Sequence, residues 1–253
     1  MHIRSPKCYA VLRRENILPL PSRTTICHYL KASNVGVGFD DKFFQLFKKK
    51  IEILDHELAK KGMICFDEMQ IRKALDVNIK DMTFNGLVDF GNHKKPAENS
   101  CVDQDSPTAK KKSKKSEDMS GKLADHALVF MFSSISVRFN QPIGFFLCKG
   151  SSDSNTLFSL LITAIIKTEE AGAQVHAIVC DGAQSNRGIW KDLGVSAKPN
   201  NEGRCWFENP FDTTSKENEI RKIYVLSDAP HLIKCVRNRF YNNKESMEQY
   251  KNI

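Results

Sequence analysis

The chain has 253 residues, 41% hydrophobic and 27% charged, with a net charge of +8. That composition is globular, with length for one large domain or two small ones, and no apolar run reaches the roughly 20 residues of a transmembrane helix. The N-terminal "MHIRSPKCYAVLRREN" lacks the apolar stretch of a secretory signal, so a soluble intracellular protein with no membrane partner is expected.

Residues 1–33 read as short helices around a turn. In "ILPLPSRTTICHYLKAS", Pro19 and Pro21 stop what precedes, and Ser22 is a good N-cap. Arg23, Thr24, Thr25 and His28 then lie in the first turns of a helix. Such a helix either enters a DNA groove or lies on the surface. Residues 40–61 predict an amphipathic helix, with Phe43, Phe47, Ile51, Leu54 and Leu58 on one stripe. Asp40 and Asp41 favour its start and Gly62 its end. Its lysines form a solvated face.

After Gly62 the periodicity changes to that of strands. "MICF" predicts a short buried strand, "MTFNGLVDFG" a second and "HALVFMFSSISVRF" a third. Between the last two lies a polar segment, 93–122, which reads as a disordered insertion. It holds eight lysines against five acids, so three of the net positive charges sit there. The run Lys110 to Lys115 is a nuclear localisation signal, a DNA-contacting tail or a solubilising loop. Charge of this sign invites a polyanionic partner such as nucleic acid.

Residues 155–171 are apolar nearly all round and predict a helix buried against a sheet. "QVHAIVCDG" is a further buried strand, "QSNRGIWKDLGV" a helix, and "RKIYVLSDAPHLIKCVRNRF" a strand, a turn and a helix start. Three strands followed by alternating β and α predict a mixed sheet covered by helices.

Three aspartates share one placement, each just after an apolar strand: Asp67, Asp181 and Asp228. Neighbouring strands of a mixed sheet can bring such ends together, and carboxylates that close repel unless a cation lies between them. Two shared Mg²⁺ ions would solve this and would supply two-metal phosphoryl chemistry. The plainer alternative is that they are turn residues and helix caps. The eight cysteines show no CxxC pair and no zinc-finger spacing, so reduced structural thiols are expected.

"CFDEMQIRK", "VCDGAQSNRGIWKDLGV" and "SDAPHLIKCVRN", in this order and preceded by "ILPLPSRTT", resemble the P element-type transposase family, including transposase-derived proteins with THAP domains. The likeness runs from about Lys7 to Asn238. It implies an RNase H-like mixed sheet flanked by helices, preceded by a helix-turn-helix-like segment. It also implies DNA strand cleavage and transfer by acids holding Mg²⁺, with Asp67 and Asp181 as the first two. The family's third acid is a glutamate beyond an inserted GTP-binding domain, which "SDAPHLIKCVRN" would begin, so an incomplete catalytic set is expected here. Asp228 stands either as a substitute ligand or as a cap.

The expected domains are a helical segment 1–61, a core 62–206 and the start of the GTP-binding insertion at 207–253. The DNA partner, transposon ends and target, would meet Arg23, Thr24, Lys110, Lys111, Lys112, Lys114 and Arg187. GTP as cofactor and nuclear localisation follow from the family, and the oligomeric state stays open. The alternative is a domesticated, non-catalytic DNA-binding or protein-interaction remnant.

Overall fold

Ser5 begins the first helix, its hydroxyl accepting from the Cys8 N–H at 3.3 Å ahead of Pro6. The computed structural model describes residues 5–32, 36–78, 83–91, 121–196, 203–212 and 220–242. All of the 93–122 insertion except its last two residues therefore lies outside the described residues. The chain divides into two units, Met1–Gly36 and Val37–Ile253.

The first unit holds α1, Pro6–Arg14, and α2, Arg23–Ala32. Ser22 caps α2 as its sequence predicts, with Oγ accepting from the Thr25 N–H at 3.0 Å. Between the helices the chain turns through Asn16, at φ +52. Tyr9 is buried on α1, and its hydroxyl donates to the Pro21 carbonyl at 2.7 Å, tying α1 to the turn.

The second unit opens on α3, Asp41–Glu52, with Asp40 as its cap, accepting from the Lys42 N–H at 2.8 Å. Phe44, Phe47 and Ile51 are its buried face. The helix expected over 40–61 thus stops early: Leu58 is 62% exposed and lies in a single turn, α4, Glu57–Lys60. The next residue already begins β1, Lys61–Gln70. Gly62 is therefore a strand glycine, not a helix end. A Cβ there would stand 2.2 Å from the Phe132 ring, so only glycine lets that ring cross the strand.

The remaining elements are β2, Asp76–Asn78; β3, Thr83–Asn85; β4, His126–Ser134; β5, Asn140–Cys148; α5, Ser154–Glu170; β6, Gln174–Cys180; α6, Gln184–Asp192; β7, Trp206–Glu208; β8, Lys222–Ser227; and α7, Ala229–Asn242. Six strands form one mixed sheet in the order β5-β4-β1-β6-β8-β7. β1, β6 and β8 are parallel neighbours, while β4, β5 and β7 run antiparallel to theirs. The mixed α/β sheet with flanking helices is the fold class the sequence implied.

Two strand expectations are corrected. Phe84–Phe90 is not a regular strand of the main sheet and meets it at one bridge, Asp89 to Leu147 of β5. Only β3 is regular there, paired with β2, and the chain then makes isolated bridges at Leu87 and Asp89. Gly86 breaks the run, at φ +100 against the Ala74 carbonyl. The third strand, expected to reach past Ser134, ends there and reverses through Ile135–Phe139 into β5. Pro142 sits in β5 at a register shift opposite Met131, on an edge strand where a missing N–H is tolerated.

Alternation divides the sheet into two faces. Ile64, Phe66, Leu128, Phe130, Phe132 and Phe146 point into one core with α3 and Leu157, Leu160, Leu161 and Ile165 of α5. Phe39, Phe130 and Phe146 pack ring against ring there, with centroids 5.0–5.9 Å apart. On the opposite face Cys65, Val129 and Met131 are half-buried, and Tyr224 and Leu226 are exposed. No described helix is long and apolar enough to cross a membrane.

Candidate functional site

Asp67 and Asp181 reach the same level of the sheet by strand register. Cys65 of β1 lies opposite Val179 of parallel β6, and each acid follows two residues later. Since Ile64 and Phe66 fill the core, Asp67 turns to the other face. Asp228 follows β8, the third parallel strand, and its N–H donates to the Cys180 carbonyl at 2.9 Å. Asp67, Asp181 and Asp228 line one recess of about 300 Å³ with Cys65, Met131 and His231.

Burial raises the Asp67 carboxyl above the usual aspartate range. The Glu68 N–H, bonded to Oδ1 at 2.8 Å, opposes this, and the negative charges of Asp181 and Asp228 add to it. Burial and the charge of Asp228 also push the Cys65 thiol up. Asp67 therefore feels both of the other acids across the recess. Among the described residues, however, no three His, Cys, Asp or Glu side chains converge closely enough to hold a metal ion by themselves.

Asp181 is held firmly. Its Oδ1 accepts from the Ala183 N–H at 3.0 Å and from Asn186 Nδ2 at 2.6 Å. Asn186 is 6% exposed, and its Nδ2 also donates to the Asp181 backbone carbonyl at 3.2 Å. Asp67, Glu68, Asp181, Ser185 and Asn186 border a second recess of about 170 Å³, with His126 at its edge. Glu68 is tied back, accepting from the Ser152 N–H at 2.8 Å. Asp125 accepts from His126 Nδ1 at 2.8 Å and from the Gly150 N–H at 2.6 Å.

The expected site residues divide three ways. Asp67, Asp181 and Asp228 come together. Asp228 takes the N-cap position of α7, its backbone carbonyl accepting from the Leu232 N–H at 3.0 Å, while its side chain lines the recess. Arg187 stands beside Gly182, donating from Nε to that carbonyl at 3.0 Å. Arg23 and Thr24 open α2 in the other unit. Lys110, Lys111, Lys112 and Lys114 lie outside the described residues. No local signal marks Asn186 as the residue that holds Asp181, since a polar residue in the first turn of a helix is ordinary.

The family model described as "TNP-like, RNase H N-terminal domain" matches residues 35–111 and 110–194, more than half of the chain, and the chain belongs to that family. It is 26% identical over 243 residues to the Transposable element P transposase of Drosophila melanogaster, covering 96% of this chain and 25% of that protein. A solved structure, the Drosophila P element transposase strand transfer complex, superposes with a TM-score of 0.61 at 25% identity, over 94% of this chain and 41% of that one. The chain thus spans a quarter of the length of the curated relative it matches.

Proposed function

We propose that this member of the family carries part of the catalytic core of a P element-type DNA transposase, which cleaves DNA strands and transfers their 3′-OH ends to a target. The observation that carries this reading is the register that sets Asp67 and Asp181 at one level of adjacent parallel strands, on a shared recess. The donor set suits Mg²⁺, being hard carboxylate oxygens. A cation between these acids would offset the burial and the added repulsion that together raise the Asp67 carboxyl. Asp67 and Asp181 would hold it, with Asp228 as the third candidate. Bound there, Mg²⁺ supplies positive charge to a phosphoryl transfer.

The chain's own residues position the rest. Asn186 and the Ala183 N–H fix the Asp181 carboxylate, and the Glu68 N–H fixes that of Asp67. Arg187, in the first turn of α6 after Asp181, meets a phosphate of the bound strand. Arg23 and Thr24, with Lys110, Lys111, Lys112 and Lys114, contact the DNA backbone, and the lysine run directs the protein to the nucleus. GTP, implied by the family resemblance alone, would belong to the domain that 207–253 begins, and no step is assigned to the nucleotide.

The second reading is a non-catalytic DNA-binding or protein-interaction remnant. The lack of a converged metal-binding set among the described residues favours it. Mn²⁺, a paramagnetic substitute for Mg²⁺, separates the two. Titration followed by electron paramagnetic resonance should show binding that falls about tenfold or more in Asp67→Asn and in Asp181→Asn, since ligand charge sets affinity. Equal binding by wild type and both variants would leave the remnant as the better account.

A further inference from the structure

We infer that His126 is the base that takes the proton from the attacking hydroxyl, with Asp125 holding its ring in the accepting form. This deepens the strand-cleavage reading above and rests on it. His126 opens β4, opposite Gln70 of β1 and Cys148 of β5. Glu68 lies opposite Leu128, two residues along, so Glu68 and His126 are diagonal neighbours on one face of the sheet. Both border the second recess, of about 170 Å³, together with Asp67 and Asp181.

Asp125 decides which ring nitrogen is free. It lies 2.8 Å from His126 Nδ1, and its carboxylate also accepts from the Gly150 N–H at 2.6 Å and faces Lys73 Nζ at 3.3 Å. A carboxylate with these partners stays ionised and can only accept. Nδ1 therefore carries the proton of the neutral ring, and Nε2 keeps its lone pair. The Gly150 N–H and Lys73 already satisfy the carboxylate, so the fold does not need the imidazole for that purpose.

The surroundings favour the proton once it has moved. The charged and titratable groups about the ring are Asp125 with Lys73, Cys148 of β5, and Asp67, Glu68 and Asp181 around the recess. No described lysine or arginine borders that recess, so an imidazolium formed there faces carboxylates. Ser151 and Ser185, with hydroxyls 3.4 Å apart, offer donors to a water in a space with room for several at about 30 Å³ each. In cleavage the water O–H bond breaks as its oxygen bonds to phosphorus, and Nε2 takes the proton. The P–O3′ bond breaks, and the 3′ oxygen leaves with the electron pair and is protonated by solvent. In transfer the 3′-OH stands in place of water and gives its proton to the same nitrogen.

The test uses the whole chain. Nicking of supercoiled plasmid DNA in Mn²⁺ is measured from about pH 5.5 to about pH 9, and the histidine ring nitrogens are followed by nitrogen-15 NMR. Wild type should show His126 as the Nδ1–H tautomer, and its nicking rate should rise with pH through the range in which that ring titrates. His126→Gln should lower the rate about 10²–10⁴-fold and abolish that rise. Asp125→Asn should shift the ring towards the other tautomer and lose most of the same factor. His56→Gln removes an exposed imidazole ahead of α4 and should change neither the rate nor its rise. Should His126→Gln fail to fold, the tautomer and rate of Asp125→Asn decide. An Nε2–H tautomer in wild type, or a rise that survives in His126→Gln, would overturn the base and leave strand cleavage standing. No nicking by the wild-type chain would overturn both.

Discussion

Replacing Asn186 with leucine, which has the same branching, separates holding the fold from holding Asp181. Asn186 donates to the Asp181 carboxylate at 2.6 Å and to its backbone carbonyl at 3.2 Å. Both partners are acceptors, which fixes the orientation of the amide. A bond to an ionised group contributes about 1.5–3 kcal/mol and one to a neutral carbonyl about 0.5–1.5 kcal/mol. Against this, the Asn186 amide oxygen is buried with no hydrogen-bond partner among the described residues, a cost of about 1–3 kcal/mol. The two sides nearly cancel, so Asn186→Leu should lower stability by only about 1 kcal/mol in urea denaturation. A group that orients a metal-holding carboxylate is a different matter, because removing it costs about 10–100-fold in metal affinity. The Mn²⁺ affinity of Asn186→Leu should fall by that factor while the fold survives. A variant more than about 3 kcal/mol less stable with unchanged Mn²⁺ affinity would make Asn186 a structural residue and refute this reasoning.

Two further outcomes follow from the packing and charges around the site. Gly62→Ala forces a Cβ to within 2.2 Å of the Phe132 ring and 2.7 Å of the Ser133 carbonyl. It should cost about 1–3 kcal/mol as an overpacked position, and an unchanged urea midpoint would show that β1 can shift away from the ring. Asp125, bonded by His126, the Gly150 N–H and Lys73, has its carboxyl held well below the usual aspartate range. Its lowered native pKa lends stability above the unfolded value of about 3.9, and this is lost as pH falls through the native value. Asp125→Asn should therefore flatten the fall in urea midpoint between about pH 5 and pH 2, and identical curves for the two proteins would contradict the assignment.

The acids were legible because a carboxylate after an apolar run marks where a strand leaves the core: Asp181 and Asp228 directly follow β6 and β8, whereas β1, expected to end at Phe66, carries Asp67 within it and runs on to Gln70. Periodicity carries that much because a buried strand must be apolar and its end must meet water. It carries less where two periods overlap. Leu54 and Leu58 keep the helical spacing of α3 by coincidence, and only the demand that β1 start at Lys61 ends the helix. β5 was hidden because "SSISVRF" continues the alternation of β4 through a turn without glycine, and its Pro142 is tolerated only because β5 lies at the sheet edge. Gly62 looked like a helix end because the ring it must admit, Phe132, lies 70 residues away in sequence. The same limit applies to function. Asp67 and Asp181 announce themselves locally, but Asn186 acquires meaning only once the turn after β6 brings its amide to the Asp181 carboxylate. The neighbours that decide whether Asp181 holds a cation are set by the fold rather than by spacing along the chain.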